Sequence, residues 1–132
     1  MIKVLIPSDA DFQKYESRLK ELYEKNQKNI CDTNTYEFIR DETLFYAFLK
    51  INGELIGAIY YFMDKGKLFL NAFSNRKMFS ENIKSLLMSL TWFSCDIYAE
   101  AQNRASALCL LRCGFKRIED NLFVYKKNIE RK

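Results

Sequence analysis

The most informative segment of this chain is Ile97–Phe115, IYAEAQNRASALCLLRCGF. It predicts a buried strand over Cys95–Ala99, a short polar loop, and a helix that begins after Asn103 and ends before Gly114. Asn is a strong helix N-cap, and Gly is preferred just past a helix end. Phe115 then restarts an apolar strand. The apolar residues at helical spacing, expected to share one buried face, are Ala107, Leu108 and Leu111.

Two tight turns before this segment predict three antiparallel strands. Asn52-Gly53 lies between the apolar runs Leu44–Ile51 and Glu54–Met63, and Asn-Gly favours a type I′ hairpin. Asp64-Lys65-Gly66 leads into a third run, Lys67–Phe73. We therefore expect a three-stranded meander in the middle of the chain.

Helix start signals precede three further periodic segments. Pro7-Ser8-Asp9 follows a short strand at Ile2–Ile6, and Ser80 is expected to N-cap a helix of about three turns. A short helix is expected around Thr35–Arg40, after a polar loop. The periodic residues of the first helix are Phe12, Tyr15, Leu19, Leu22 and Tyr23, and those after Ser80 are Ile83, Leu86, Leu87, Leu90 and Phe93. A closing hairpin is expected from Phe115–Glu119 and Leu122–Lys127, joined at Asp120-Asn121.

Composition limits the class of protein. The chain has 132 residues, of which 48% are hydrophobic and 29% charged, so we expect one globular domain over residues 1–132. The net charge of +4 is compatible with an anionic ligand and is too small to indicate nucleic-acid binding. No apolar run reaches the length of a membrane span, and no signal-peptide pattern is present, which favours the cytoplasm.

Histidine does not occur in the sequence. This excludes the Ser-His-Asp and Cys-His nucleophile systems and argues against a catalytic zinc site. The four cysteines form no CxxC pair, so we expect neither a metal site nor a structural disulfide. Any chemistry must use carboxylates, hydroxyls, thiols, amines or a bound co-substrate.

The order of strand, Asn103, amphipathic helix, Gly114-Phe115 and strand resembles the acetyl-CoA-binding half of the GNAT superfamily of N-acetyltransferases. The central hairpin and the first strand and helix resemble that family as well. The resemblance implies an α+β fold with a mixed, mostly antiparallel sheet of six or seven strands and about four helices. It also implies a V-shaped cleft between the fourth and fifth strands, with acetyl-CoA as co-substrate and no metal.

The family's pyrophosphate loop corresponds here to Arg76–Glu81. Arg76 matches the family pattern, but Phe79 and Glu81 stand where the family has small residues. Phe79 would block close approach of a phosphate, and Glu81 would repel one at a helix N-terminus. Either Arg76 and Lys77 hold the pyrophosphate by side-chain charge, or the cofactor loop is degenerate.

The resemblance assigns further roles around the cleft. Glu100, just past its strand, is the candidate general base, and Tyr98 and Asn71 could position a water. Backbone amides near Phe73 would polarise the thioester carbonyl. Many family members carry a Tyr that protonates the leaving thiolate, and this chain has Leu110 there, so Ser106 or Cys109 would have to substitute. The cofactor-binding residues implied in this way are Phe73, Arg76, Lys77, Ser80 and Asn103.

Three functions remain open at this point. The first is acetyl-CoA-dependent transfer of an acetyl group to a small-molecule or peptide amine by direct attack. The second is a non-catalytic binding or structural module with the same fold. Short GNAT-like proteins of bacteriophage share the altered pyrophosphate loop and the missing Tyr, and a phage origin would place the chain in the host cytoplasm or the virion. The third, an enzyme that modifies nucleic acid, is disfavoured by the modest charge.

Overall fold

The computed structural model describes residues 2–27, 35–74, 79–101 and 104–127, and for residues 79–82 it describes the backbone. Within these ranges seven strands form one mixed sheet, accompanied by four helices, which confirms the expected fold class. In chain order the elements are β1 (Lys3–Leu5), α1 (Asp9–Lys25), α2 (Tyr36–Glu42), β2 (Thr43–Ile51), β3 (Glu54–Asp64), β4 (Lys67–Ser74), α3 (Phe79–Leu90), β5 (Ile97–Glu100), α4 (Arg104–Arg112), β6 (Lys116–Glu119) and β7 (Leu122–Tyr125). None of the helices in these ranges is long and apolar enough to cross a bilayer.

The strand order across the sheet is β1-β2-β3-β4-β5-β7-β6. Among the described strands β4 and β5 are parallel, and every other neighbouring pair is antiparallel. Both predicted tight turns are present: Asn52 and Lys65 each have φ of 52°, and a glycine with positive φ follows each of them. These are the backbone angles that a two-residue type I′ turn requires.

Each face of the sheet carries its own apolar core. One face packs under α1 and α2, with Leu19, Leu22, Tyr23, Tyr36, Tyr46, Phe48, Tyr60 and Phe73 in its core. The other face packs under α3 and α4, with Ile59, Tyr61, Leu68, Leu70, Leu86, Leu90, Ile97, Leu110, Phe115 and Phe123 in its core. Successive side chains of a strand point to opposite faces, so the two cores fix which residues of β4 and β5 share a side.

Helix ends follow the local sequence. Ser8 caps α1 in a capping box with Asp11, and the Thr35 side chain accepts from the Phe38 amide at the start of α2. At the end of α4, the Phe115 amide donates to the Leu110 carbonyl at 3.0 Å. The Gly114 amide donates to the Leu111 carbonyl at 3.1 Å. Together with the φ of 101° at Gly114, these two hydrogen bonds form a Schellman motif. Glycine adopts this positive φ without the steric cost of a Cβ atom.

Several sequence-based details were wrong. Leu108 and Leu111 are 44% and 49% exposed, and the buried face of α4 carries Leu110 at 5%. Helix α3 begins at Phe79, so Ser80 lies inside its first turn and is not its N-cap. That helix ends at Leu90, before Phe93, and β5 begins at Ile97, two residues later than expected. Apolar residues occupy more than one side of both helices, so periodicity alone did not select the buried side.

Candidate functional site

Strands β4 and β5 separate after a short region of pairing. Among the described residues they pair at Leu68 with Ile97 and at Phe69 with Tyr98. Beyond that point β4 stays paired with β3 as far as Ser74, and β5 stays paired with β7 as far as Glu100. The backbone edges of β4 and β5 therefore face each other across a gap, which is the cleft expected between the fourth and fifth strands.

The Ala72 backbone amide of β4 faces this cleft, three residues beyond the last described β4–β5 pair. The β3–β4 ladder starts at a two-residue turn and runs without a register shift, so the amides of alternate residues, Phe69, Asn71 and Phe73, point toward β3. The Ala72 amide points the other way, and it donates to the Asn71 side-chain oxygen at 2.9 Å. The amide of Phe73 itself thus bonds within the sheet, and its neighbour Ala72 presents the donor.

The candidate base and its polar neighbours lie on one face of the sheet. Ile97 and Ala99 point into the core under α3 and α4, so Tyr98 and Glu100 point to the face that carries α1 and α2. Asn71 shares this face, because the alternate residue Phe73 belongs to the α1 and α2 core. Glu100 is exposed, and Asn71 and Tyr98 are half-buried. If β4 and β5 continued in register, Asn71 would stand opposite Glu100.

An aromatic strip borders these groups on the same face. The ring centroids of Phe62 and Phe69 lie 5.8 Å apart, and those of Phe69 and Tyr98 lie 5.7 Å apart. The ammonium of Lys67 lies 5.0 Å from the centroid of the Tyr98 ring. This distance is within the range of a cation–π contact, so the strip can receive a positive charge as well as apolar surface.

Ser106 and Leu110 belong to α4, which packs on the opposite face of the sheet. Leu110 is buried in the core that contains Ile97, whereas Ser106 is half-buried. The structure therefore brings Glu100, Tyr98 and Asn71 to one face and leaves Ser106 on the other. A molecule that passes through the gap between β4 and β5 could contact both groups.

Comparison with known proteins rests on structure. Neither a family model nor a curated sequence matches this chain. The structure of a ribosomal-protein-S5-alanine acetyltransferase from Vibrio fischeri is similar to this one. The superposition covers 99% of this chain and 96% of the Vibrio chain, with 11% sequence identity and a TM-score of 0.72. The chain has the GNAT fold.

Two further solved structures agree with this GNAT fold. An N-acetyltransferase from Staphylococcus aureus Mu50 covers 94% of this chain and 93% of its own, at 15% identity and a TM-score of 0.68. The superposition with a GNAT family acetyltransferase from Brucella melitensis in complex with acetyl-CoA covers 96% of this chain and 88% of the Brucella chain, at 14% identity and a TM-score of 0.63. The overall architecture is thus shared with these structures along almost the whole chain.

Some predicted cofactor contacts fall outside the described residues. Arg76, Lys77 and Asn103 lie there, and the side chain of Ser80 is not described either. The flanking elements are described: α3 begins at Phe79 and α4 at Arg104. In sequence, Met78 separates the cationic pair from α3, and Asn103 directly precedes α4. Their roles stay predictions.

Cys109, Cys113 and the buried Tyr61 have shifted pKa values. Cys95, Cys109 and Cys113 are free thiols. A hydrogen bond between the Cys109 and Cys113 thiols lowers the pKa of Cys109 and raises that of Cys113. Burial raises the pKa of Tyr61 to about 12, and its hydroxyl lies 2.6 Å from that of Ser89 inside the core. In the described part of the chain no group of His, Cys, Asp and Glu side chains is arranged to hold a metal ion.

Sequence reasoning missed Ala72 and Tyr60. Ala72 carries the amide that faces the cleft, and the Tyr60 hydroxyl accepts from the Asn71 carboxamide nitrogen at 3.1 Å. The signal for Ala72 was available, because the two-residue turn at Lys65-Gly66 fixes which amides of β4 point away from β3. The same turn places Tyr60 opposite Asn71, but Tyr60 is 1% exposed and resembles ordinary core material, so its hydroxyl was not singled out.

Proposed function

We propose that this protein is an acetyl-CoA-dependent N-acetyltransferase that acts on an amine acceptor in the cytoplasm. The observation that carries the proposal is the separation of β4 from β5 in a chain that has the GNAT fold along nearly its whole length. One structural neighbour was solved with acetyl-CoA, and another, an aminoglycoside acetyltransferase, with coenzyme A and kanamycin. A thioester held in this gap would lie beside a backbone donor and near a carboxylate.

The proposed reaction is direct attack on the thioester. The amine approaches from the face of Tyr98 and Glu100, and Glu100 takes its proton, directly or through a water that Tyr98 and Asn71 hold. A C–N bond forms to the acetyl carbon, and the C–S bond breaks. The Ala72 amide donates to the carbonyl oxygen as negative charge develops there. The thiolate takes a proton from Ser106 or from solvent on the α4 side.

Binding is proposed to depend on positive charge and a helix N-terminus. Arg76 and Lys77 precede α3, and their side chains neutralise the pyrophosphate. Asn103 and Ser80 complete the cofactor contacts near the starts of α4 and α3. No step requires a metal ion. Holding the two substrates together supplies most of the rate enhancement in such a mechanism, and proton transfer adds to it.

The test combines binding and turnover. Calorimetry of the purified protein should detect acetyl-CoA, and an amine panel should reveal an acetylated acceptor by mass spectrometry. The panel includes an aminoglycoside, a peptide with N-terminal alanine, and an arylalkylamine. The first two reflect the names of structural neighbours, and the third matches the aromatic strip of Phe62, Phe69 and Tyr98.

Glu100→Gln provides the catalytic control. We expect turnover to fall by about 10²-fold or more while the KM for acetyl-CoA stays the same, because the lost group acts on the amine proton. Glu119→Gln removes a carboxylate from the exposed edge strand β6 and should leave turnover unchanged. Full activity of Glu100→Gln would exclude Glu100 as the base.

A non-catalytic module is the alternative, and one observation favours it. Leu110 is buried in the core at the position where the family's proton-donating Tyr is expected, so α4 offers no hydroxyl there. If the protein binds neither acetyl-CoA nor coenzyme A, the acetyltransferase proposal fails and the module remains.

A further inference from the structure

The Ala72 amide is already occupied in the described structure. It lies three residues beyond the last described β4–β5 pair, and the alternation along β4 directs it away from β3. The Asn71 oxygen Oδ1 accepts from it at 2.9 Å. Ala72 is exposed, so the donor faces an accessible part of the cleft. A carbonyl oxygen that enters the cleft must therefore compete with Asn71 for this hydrogen bond.

The Asn71 carboxamide is held in this orientation from the other side. Its nitrogen Nδ2 donates to the Tyr60 hydroxyl at 3.1 Å. Tyr60 is fully buried on β3, and its ring packs against Tyr23 of α1 and against Phe73. Because the hydroxyl accepts from the NH₂ end, the oxygen end is directed toward Ala72. The contact is thus anchored to the core under α1.

We propose that Asn71 is a positioning residue that caps the Ala72 amide and yields it to the acetyl carbonyl when acetyl-CoA binds. This inference rests on the proposed function. Coenzyme A has no acetyl carbonyl, so it binds without displacing the cap. The cap therefore lowers the affinity for acetyl-CoA relative to coenzyme A, because only the acetyl carbonyl competes with Asn71 for the amide.

The discriminating measurement is the ratio of the two dissociation constants, for acetyl-CoA and for coenzyme A, by calorimetry without an amine. In Asn71→Ala the amide is free, so affinity for acetyl-CoA should rise about two- to tenfold, the range expected for one net hydrogen bond. Affinity for coenzyme A should stay unchanged. The same substitution at Asn121, in the exposed β6–β7 turn, should alter neither constant.

Two further variants should move the ratio in opposite directions. Asn71→Asp places a charged acceptor on the amide and repels the carbonyl oxygen, so affinity for acetyl-CoA should fall at least twofold relative to coenzyme A. Tyr60→Phe removes the hydroxyl that orients the Asn71 carboxamide. Its affinity for acetyl-CoA should therefore rise relative to coenzyme A, as in Asn71→Ala. Thermal melting of each variant verifies that it is folded.

Hydrogen exchange of the free protein tests the cap without any nucleotide. The Ala72 amide should be protected in the parent protein and should exchange at least tenfold faster in Asn71→Ala. Equal exchange rates, or equal changes in affinity for both nucleotides, would overturn the cap while leaving the proposed function intact. If the parent protein binds neither nucleotide, the proposed function fails and the role of Asn71 fails with it.

Discussion

At the scale of single residues, the two cations before α3 carry the prediction for cofactor affinity. Arg76→Ala combined with Lys77→Ala should weaken coenzyme A binding at least tenfold, or roughly 1.4 kcal/mol, and should reduce its salt dependence. Calorimetry at two salt concentrations measures both effects. Lys3→Ala with Lys116→Ala removes the same charge from exposed positions on β1 and β6 and serves as the control. Unchanged affinity in the Arg76 and Lys77 variant would mean that the anion binds elsewhere.

Leu110 carries a second residue-scale prediction. Leu110→Tyr would supply a hydroxyl near the leaving thiolate, so turnover should rise about tenfold with little change in the KM for acetyl-CoA. Leu110 is 5% exposed, so a larger ring should also cost about 1–3 kcal/mol of stability by overpacking. Denaturant unfolding and steady-state kinetics measure the two effects.

Leu110→Phe separates the hydroxyl from the ring. It introduces similar bulk without a proton donor, so it should lose similar stability and gain no rate. A folded Leu110→Tyr variant that binds coenzyme A and is no faster than Leu110→Phe on any amine would favour the non-catalytic module.

Among the residues of the site, the sequence predicted side chains better than backbone donors. Glu100, Tyr98 and Asn71 were expected beside one cleft, and they share one face of the sheet there. The donor was assigned only to the vicinity of Phe73, because the direction of an amide depends on hydrogen-bond pairing, which side-chain patterns do not report. Tyr60 and Asn71 are cross-strand partners, so the hairpin turn implies that they are close, but side-chain patterns do not report the hydrogen bond between them.

At the scale of elements, close contact between β3 and β4 controls the edge of the cleft. A Cβ atom added at Gly57 would meet the Phe73 carbonyl oxygen and would lie 2.7 Å from the Ser74 Cα. Both are backbone atoms, which cannot rotate away. Gly57→Ala should therefore push β4 from β3, lower stability by about 1–3 kcal/mol and weaken acetyl-CoA binding. Denaturant unfolding and calorimetry measure these changes.

Gly53→Ala is the matched control for Gly57→Ala. A Cβ at Gly53 would meet nothing within 4 Å, but its φ of +82° is unfavourable for alanine. This variant should lose stability through backbone strain and retain its affinity for acetyl-CoA. Equal loss of affinity in both variants would argue that general destabilisation, and not the position of β4, lowers binding.

Helix faces were the least predictable feature at this scale. In α4, Leu108 and Leu111 are spaced three residues apart, and so are Ala107 and Leu110. Both pairs fit one side of a helix, and only packing against Ile97 and the core around it selects the second pair. Turns were easier to predict, since Asn52-Gly53 restricts the backbone locally.

At the scale of the whole molecule, the order of elements along the chain was predictable and their order across the sheet was only partly so. The meander β2-β3-β4 follows from short turns. The placement of β7 between β5 and β6 arises from pairing between distant segments, such as Ala99 with Phe123, which no turn dictates. The resemblance to GNAT proteins supplied the cleft, because strand separation leaves no mark in hydrophobic periodicity.

The seam between β4 and β5 has a consequence for how the molecule unfolds. Among the described residues, two pairs join the sheet halves there. The core under α3 and α4 nevertheless contains Ile59 and Tyr61 from one half and Ile97 and Phe123 from the other. Separating the two halves would expose this shared core to water. We therefore expect the halves to unfold together, because apolar burial couples them where few hydrogen bonds do. A nucleotide in the seam would consequently stabilise the entire chain, by about 2.7 kcal/mol at a hundred times its dissociation constant.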